Sequence, residues 1–327
     1  MFGAGAVSLL LPMRKPARRE REVSATAGAF LQATVRTATP LLFAGLGETL
    51  AEQSGVINVG LEGVVIAGAF GAVAGASAGG VAAGFLAAAG GGAAMAILFA
   101  VFAALLRSDQ VIAGTAVTLL GLGITGTLYR WEFGPSGAAL TIPTMHAMPV
   151  PALARIPVLG PALFDQPPIA YAAYVLVPLL WWWTYRTYAG LALRAVGENP
   201  DAARVAGIAV RRVQFAAIVA GGVLGGVSGG TLVLAQVGTF AEGMSAGRGF
   251  IAIAIVALGR WNPAGTAIAA VIFGAASALQ FLFQAMGWNA PYQLFLAFPY
   301  ALTLVALAFA GSARQGAAPA ALGRARI

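Results

Sequence analysis

Residues 63–106 read GVVIAGAFGAVAGASAGGVAAGFLAAAGGGAAMAILFAVFAALL, 44 positions without a charge between Glu62 and Arg107. A helix needs about 20 consecutive apolar residues to cross the hydrocarbon of a bilayer. The stretch therefore holds two spans, and the small residues from Gly75 to Gly80 mark the turn between them. Such a run fits lipid, not water, as the solvent around the fold.

The same arithmetic extends in both directions. Asp109 to Arg130 and Asp165 to Arg186 each enclose 20 uncharged residues, one span apiece. Arg212 to Glu242 encloses 29, one span with slack, and Arg260 to Arg314 encloses 53, two spans divided by a polar break at Gly287–Pro291. With the opening pair these make seven spans. Residues 37–47 and 249–259 are shorter runs of 11, flanked by charge, and read as broken or re-entrant segments. The tail residues Arg14, Lys15, Arg18, Arg19 and Arg21 and the five arginines from Arg186 to Arg212 both read as cytoplasmic, with four spans between them. By that parity Arg107 lies inside and the proline-rich stretch Glu132–Asp165 outside. Arg314, Arg324 and Arg326 fall inside if 249–259 crosses, whereas a long first segment through 38–56 shifts the parity. Residues 1–12 are apolar and precede the basic cluster, the reverse of a signal peptide's order, so they read as a tail or as residues before a start at Met13. Trp181, Trp182, Trp183, Tyr185 and Tyr188 form an interfacial aromatic belt.

Composition narrows the chemistry. Of 327 residues, 59% are apolar before the 44 glycines are counted and 9% are charged, against about 25% in soluble domains. The chain has no cysteine, which removes disulfides, iron–sulfur clusters and thiolate zinc sites. His146 is its only histidine, set in the proline-rich loop, and Ser54, Ser228 and Ser245 have no histidine nearby in sequence, so no metal cluster or hydrolytic triad is expected. Lys15 is the only lysine and lies in the charged tail, so there is no phosphate-binding Walker loop and any ATP is bound by another chain. The net charge of +8 comes almost entirely from arginine and favours anionic headgroups over nucleic acid.

Three polar stretches interrupt the apolar sequence. Gly47–Gly63 reads GETLAEQSGVINVGLEG and sets Glu48, Glu52, Gln53, Asn58 and Glu62 on a segment broken by Gly55 and Gly60. An ionisable group at membrane depth costs at least about 2.5 kcal/mol and faces a cavity or a partner. The stretch reads either as such a pathway segment or as a charged extramembrane loop. Gln236–Gly249, QVGTFAEGMSAGRG, repeats the pattern in the second half with Glu242 and Arg248, and suggests a weak internal repeat. The third is the loop Leu193–Arg212. There Asn199 is a good N-cap, Pro200 fits the first helical position, Asp201 suits the positive end of the helix, and Gly207 stops it. This predicts a rigid two-turn helix outside the membrane, either a docking element or a plain surface helix.

Together TPLLFAGLGE, SGVINVGLEG, GENPDAARVAGI and GRGFIAIAIVALGRWNPAG resemble, in order, the permease subunits of ABC importers in the branch for ribose-type sugars, branched-chain amino acids and nucleosides. The likeness is greatest to the simple-sugar and nucleoside permeases and covers about Thr39 to Gln280. It implies an all-α fold, a polytopic inner-membrane helical bundle of about 8–9 membrane segments including broken or re-entrant helices. Residues 1–26 form a basic cytoplasmic tail, 27–311 the transmembrane permease domain with a cytoplasmic coupling loop at 187–212, and 312–327 a C-terminal tail. The implied partners are a cytoplasmic ABC ATPase carrying ATP–Mg, a second permease that is homologous or identical, and an extracytoplasmic solute-binding lipoprotein. This chain itself is expected to hold no cofactor and to be no enzyme. Gly197, Glu198, Asn199, Pro200, Asp201, Ala202, Ala203, Arg204, Gly207 and Ile208 would form the coupling helix, with Glu198 and Asp201 facing basic groups of the ATPase and Arg204 acidic ones. Glu48, Gln53, Asn58, Glu62, Gln236 and Glu242 would line the translocation pathway, where amides can bond the hydroxyls of a nucleoside or simple sugar during alternating access. The rival reading is an ion-coupled secondary transporter using Glu48, Glu52, Glu62 or Glu242; it leaves the capped cytoplasmic helix without a purpose.

Overall fold

The computed structural model describes residues 16–106, 108–134, 141–285, 301–305 and 318–323, with Ala297 and Ala308. The apolar start 1–12, Arg14, Lys15, Arg107, the Gly287–Pro291 break, Arg314, Arg324 and Arg326 lie outside the described residues. The chain forms α1 (Pro16–Gln53), α2 (Leu61–Ala100), α3 (Gln110–Phe133), α4 (Leu159–Phe164), α5 (Pro168–Arg186), α6 (Tyr188–Glu198), α7 (Pro200–Val205), α8 (Val210–Leu232), α9 (Arg248–Leu258) and α10 (Pro263–Ala285). The only strands among the described residues, β1 (Met148–Pro149) and β2 (Asp165–Gln166), pair antiparallel. Among the described residues, four helical stretches are long and apolar enough to cross a membrane: Leu61–Leu105, Gln110–Phe133, Val210–Val237 and Pro263–Gln280. The fold is an all-α membrane bundle.

α2 is two helices. Gly79 and Gly80 leave helical geometry, Gly80 at φ +76°, and the chain doubles back so that a Cβ on Gly75 would lie 2.5 Å from the Ala83 carbonyl. This is the hairpin expected near Gly75–Gly80. Its two arms straddle α8, where a Cβ on Gly68 would sit 2.5 Å from Gly226 Cα. Small residues let backbones approach this closely, which is how helices associate when lipid is as apolar as the side chains.

α1 runs antiparallel to α8. Ser228 Oγ donates to the Pro40 carbonyl at 2.7 Å, and Gln214 Nε2 donates to the Ser54 carbonyl at 3.1 Å. One end of the bundle, here the near end, carries α6 and α7; the far end carries residues 141–166. At the far end Gln32 Nε2 donates to the Asp165 carbonyl at 3.2 Å. The start of α1 and the loop 187–212 therefore lie at opposite ends of the bundle, not on the one side that the charge count gave. The reason lies in α1, which does not stop at Gly47. It continues through Glu48 and Glu52 to Gln53 because both acids are buried with partners, so the long first segment shifts the parity. The C-terminal residues 318–323 do lie at the near end, where Ala321 N donates to the Gly197 carbonyl at 2.9 Å.

The run 249–259 is a half-helix. α9 has 11 residues, about 16 Å of rise, and the irregular stretch 238–247 leads into it from the far end, where Ile142 N donates to the Gly238 carbonyl at 2.8 Å. Left-handed residues Gly238, Gly243, Ala246 and Gly247 bend that stretch. At the near end α10 begins as α7 does: Asn262 Oδ1 accepts from Ala264 N at 2.9 Å, followed by Pro263. Trp181, Trp182 and Tyr188 are exposed around the near end of α5, while Arg194 lies 4.9 Å over the Tyr185 ring.

Candidate functional site

Two groups of residues stand out, one inside the bundle and one on its near end. Inside, the turn between α1 and α2 buries Glu48, Glu52, Gln53, Asn58 and Glu62, each no more than 5% exposed. Glu48 Oε1 accepts from Asn58 N at 2.8 Å, folding the turn back on α1. Glu52 Oε2 accepts from the Trp261 indole N–H, and Gln53 Nε2 donates to the Trp261 carbonyl at 2.5 Å. Trp261 is the residue that the sequence motifs contained without marking, and its indole N–H, a donor that needs a partner when buried, was the available signal. Gln53 Oε1 and Asn58 Oδ1 are buried acceptors without a donor among the described residues, and the carboxyl groups of Glu48 and Glu52 adjoin each other.

Glu62 joins the two interrupted stretches. Its Oε1 accepts from Gly247 N at 2.8 Å and its Oε2 from Gly249 N at 2.7 Å, the free N–H groups at the head of α9. Glu62 also lies in the first turn of α2, so two positive helix ends converge on one carboxylate. Gly249 makes this approach possible, since a Cβ there would lie 2.5 Å from Glu62 Cα.

Gln236 and Glu242 are not part of this group. Pro40 lacks an N–H and so leaves the Arg36 carbonyl of its own helix without a donor; Gln236 Nε2 fills that place at 2.6 Å. Gln236 is therefore committed to α1 at the far end. Glu242 is half exposed and pairs with Arg130 at the end of α3, N–O 2.6 Å.

On the near end, α7 has the geometry that its residues predict. Asn199 Oδ1 accepts from Asp201 N at 3.2 Å and Ala202 N at 3.0 Å, Pro200 opens the helix, and Gly207 ends it at φ +87°. Ala203 packs down with Val196 and Val210, with Ile208 beside them, while Val205 projects outward at 91% exposure. Asp201 and Arg204 pair with each other at 3.0 Å, so their charges offer a partner a dipole rather than two free ions. Glu198 Oε2 accepts from Ala320 N at 3.4 Å. Gly197 seats the loop: a Cβ there would collide with the Gln53 carbonyl.

A bundle of apolar helices with a half-helix held inside it, an acceptor-rich turn at that helix's two ends and a rigid capped helix outside defines a multi-pass membrane transport protein. Residues 30–307 match the family model of the branched-chain amino acid transport system permease component, and the chain belongs to this family. It is 35% identical to the putative glucose ABC transporter permease protein TsgC13 of Haloferax volcanii over 87% of this chain and 92% of that protein. It is 34% identical to the guanosine ABC transporter permease protein NupQ of Bacillus subtilis over 84% and 89%. It is 35% identical to the nucleoside ABC transporter permease protein NupC of Lactococcus lactis over 84% and 90%. No solved structure matches the chain.

Proposed function

We propose that this chain is the permease subunit of an ATP-driven importer in a bacterial inner membrane and that it carries a nucleoside or a simple sugar by alternating access. Its bundle makes about 8–9 membrane segments, with 238–258 crossing as an irregular stretch followed by the half-helix α9. A separate cytoplasmic ATPase binds ATP–Mg, a second permease completes the pathway, and a solute-binding lipoprotein delivers the solute. The observation that carries this reading is α7: capped by Asn199, seated through Ala203 on Val196 and Val210, and exposing Asp201, Arg204 and Val205, it is a rigid knob at the near end. The named substrates of the relatives, glucose, guanosine and nucleosides, support a neutral, hydroxyl-rich solute. Glu48, Gln53 and Asn58 are the pathway candidates. Glu62 and Gln236 act as supports for α9 and α1, and Glu242 as a far-end ion pair. An ion-coupled carrier loses two of its four candidates, because Glu62 spends both oxygens on backbone N–H groups and Glu242 is paired with Arg130, which leaves it the buried pair Glu48 and Glu52.

The test is reconstitution with the ATPase, the second permease and the lipoprotein. Solute-stimulated ATP hydrolysis and ATP-dependent uptake are expected in the parent complex. Replacing Asp201→Asn and Arg204→Gln together should lower both by about fivefold or more, the lower range of coupling between linked sites. Unchanged rates would sink the coupling assignment. Uptake that persists without ATP and collapses with an uncoupler would instead support the ion-coupled carrier.

A further inference from the structure

α9 is held at both ends by the polar turn after α1. At its head Glu62 accepts from Gly247 N and Gly249 N. At its foot the chain turns through Arg260 and Trp261 at φ +57° and +54°, left-handed conformations that residues with a Cβ keep only when their surroundings enforce them. The enforcement is visible: the last two residues of consequence on α1 grip Trp261 from both sides, Glu52 through the indole N–H and Gln53 through the backbone carbonyl. Gln53 is also where α6 rests, since Gly197 packs directly on the Gln53 carbonyl. Residues 318–323 close over the same point, with Ala321 N donating to the Gly197 carbonyl at 2.9 Å. The loop bearing α7, the foot of α1 and the foot of α9 are thus in contiguous contact.

We infer that Gln53, Glu52 and Trp261 are positioning residues that transmit displacement of the α6–α7 loop to the half-helix α9, and through Glu62 to the start of α2. This rests on the reading of α7 as the element that docks on the ATPase. A half-helix clamped at both ends moves as a bar, whereas a free one would be left behind when the loop moved. Contact alone is not coupling, so the claim stands on whether α9 responds to nucleotide on the partner.

The chain has no cysteine, so once any cysteines of the partner subunits are replaced, single introduced cysteines report on this chain alone. In the complete reconstituted complex, an environment-sensitive fluorophore is placed at Val205→Cys on α7 or at Phe250→Cys on α9, both exposed positions. ATP with vanadate is expected to change both signals in the parent chain. Trp261→Phe, which removes the N–H and keeps a ring, and Gln53→Met, which removes the amide donor, should leave the α7 signal intact. Both should cut the α9 signal and the solute carried per ATP by about fivefold. Glu52→Gln keeps an acceptor for the indole and should behave like the parent, which a merely structural loss of charge would not. An α9 signal unchanged by both clamp variants overturns the inference. So does an α9 probe in the parent chain that is silent while the α7 probe responds, a comparison that needs no clamp variant to fold. If neither probe responds and uptake is independent of ATP, it is the importer reading that fails.

Discussion

Glu62 shows how one charge is kept inside an apolar bundle. Two backbone N–H groups of α9 point at its two oxygens, and it stands in the first turn of α2, so helix dipoles help to hold the carboxylate there. Glu62→Gln keeps one good acceptor and should cost about 1–3 kcal/mol, while Glu62→Ala leaves both N–H groups unpaired and should cost more. The check is the midpoint of thermal unfolding in detergent, expected to fall in the order parent, glutamine, alanine; equal midpoints would contradict the capping role. The sequence sets Glu62 on an interrupted polar stretch, but its partners at 247 and 249 are nearly two hundred positions away and no local rule names them. Gln236 shows a different competition. A polar side chain in an apolar run reads as a solute contact, and here the orphan carbonyl opposite Pro40 has the prior claim on it.

Elements whose logic is local were legible in full, and elements that depend on distant packing were not. α7 follows from Asn199, Pro200, Asp201 and Gly207, all within one short segment, and it forms as those residues dictate. The hairpin in α2 follows from an uncharged run too long for one span and from small residues at its middle. α9 was visible only as a run too short to cross, because what completes it is the left-handed stretch before it and the clamp on Trp261 after it. The contact of α2 with α8 is half legible: 44 glycines permit close helices but do not say which pairs meet. That contact makes a sharp prediction, since Gly68 faces the Gly226 backbone and Gly123 on α3 has nothing within 4 Å. Gly68→Ala should push α2 off α8 and abolish recovery of folded protein, whereas Gly123→Ala should be tolerated and recovered at parent levels, read from the monodisperse peak after detergent extraction. Equal recovery of the two would mean that the crossing is looser than described.

At the scale of the whole molecule the question is which ends lie together. The basic residues at 14–21 and the arginines of 186–212 both satisfy a rule for cytoplasmic charge, yet α1 runs from the far end, where Gln32 meets Asp165, to the near end, where Gln53 meets Gly197. The conflict has a physical resolution. The rule acts within about 15–20 residues of a span's end. Counted back from Arg36, Arg21, Arg19 and Arg18 stand 15, 17 and 18 residues away, at the margin of that range, and Lys15 and Arg14 fall beyond it at 21 and 22. The arginines of 186–212, by contrast, adjoin α5 and α8 directly, where the rule applies in full. The arrangement is testable because the chain has no cysteine to remove. Ala27→Cys, Val205→Cys and Ala320→Cys each place one thiol at an exposed position. A membrane-impermeant maleimide added to intact cells, and then to inverted vesicles, should label the variant at 27 from the side opposite to that which labels 205, and 320 from the same side as 205. Labelling of 27 and 205 from one side would restore the parity that charge alone suggests. It would also require α1 to turn back before residue 36, against the continuous helix from Pro16 to Gln53 that carries the buried acids to the near end.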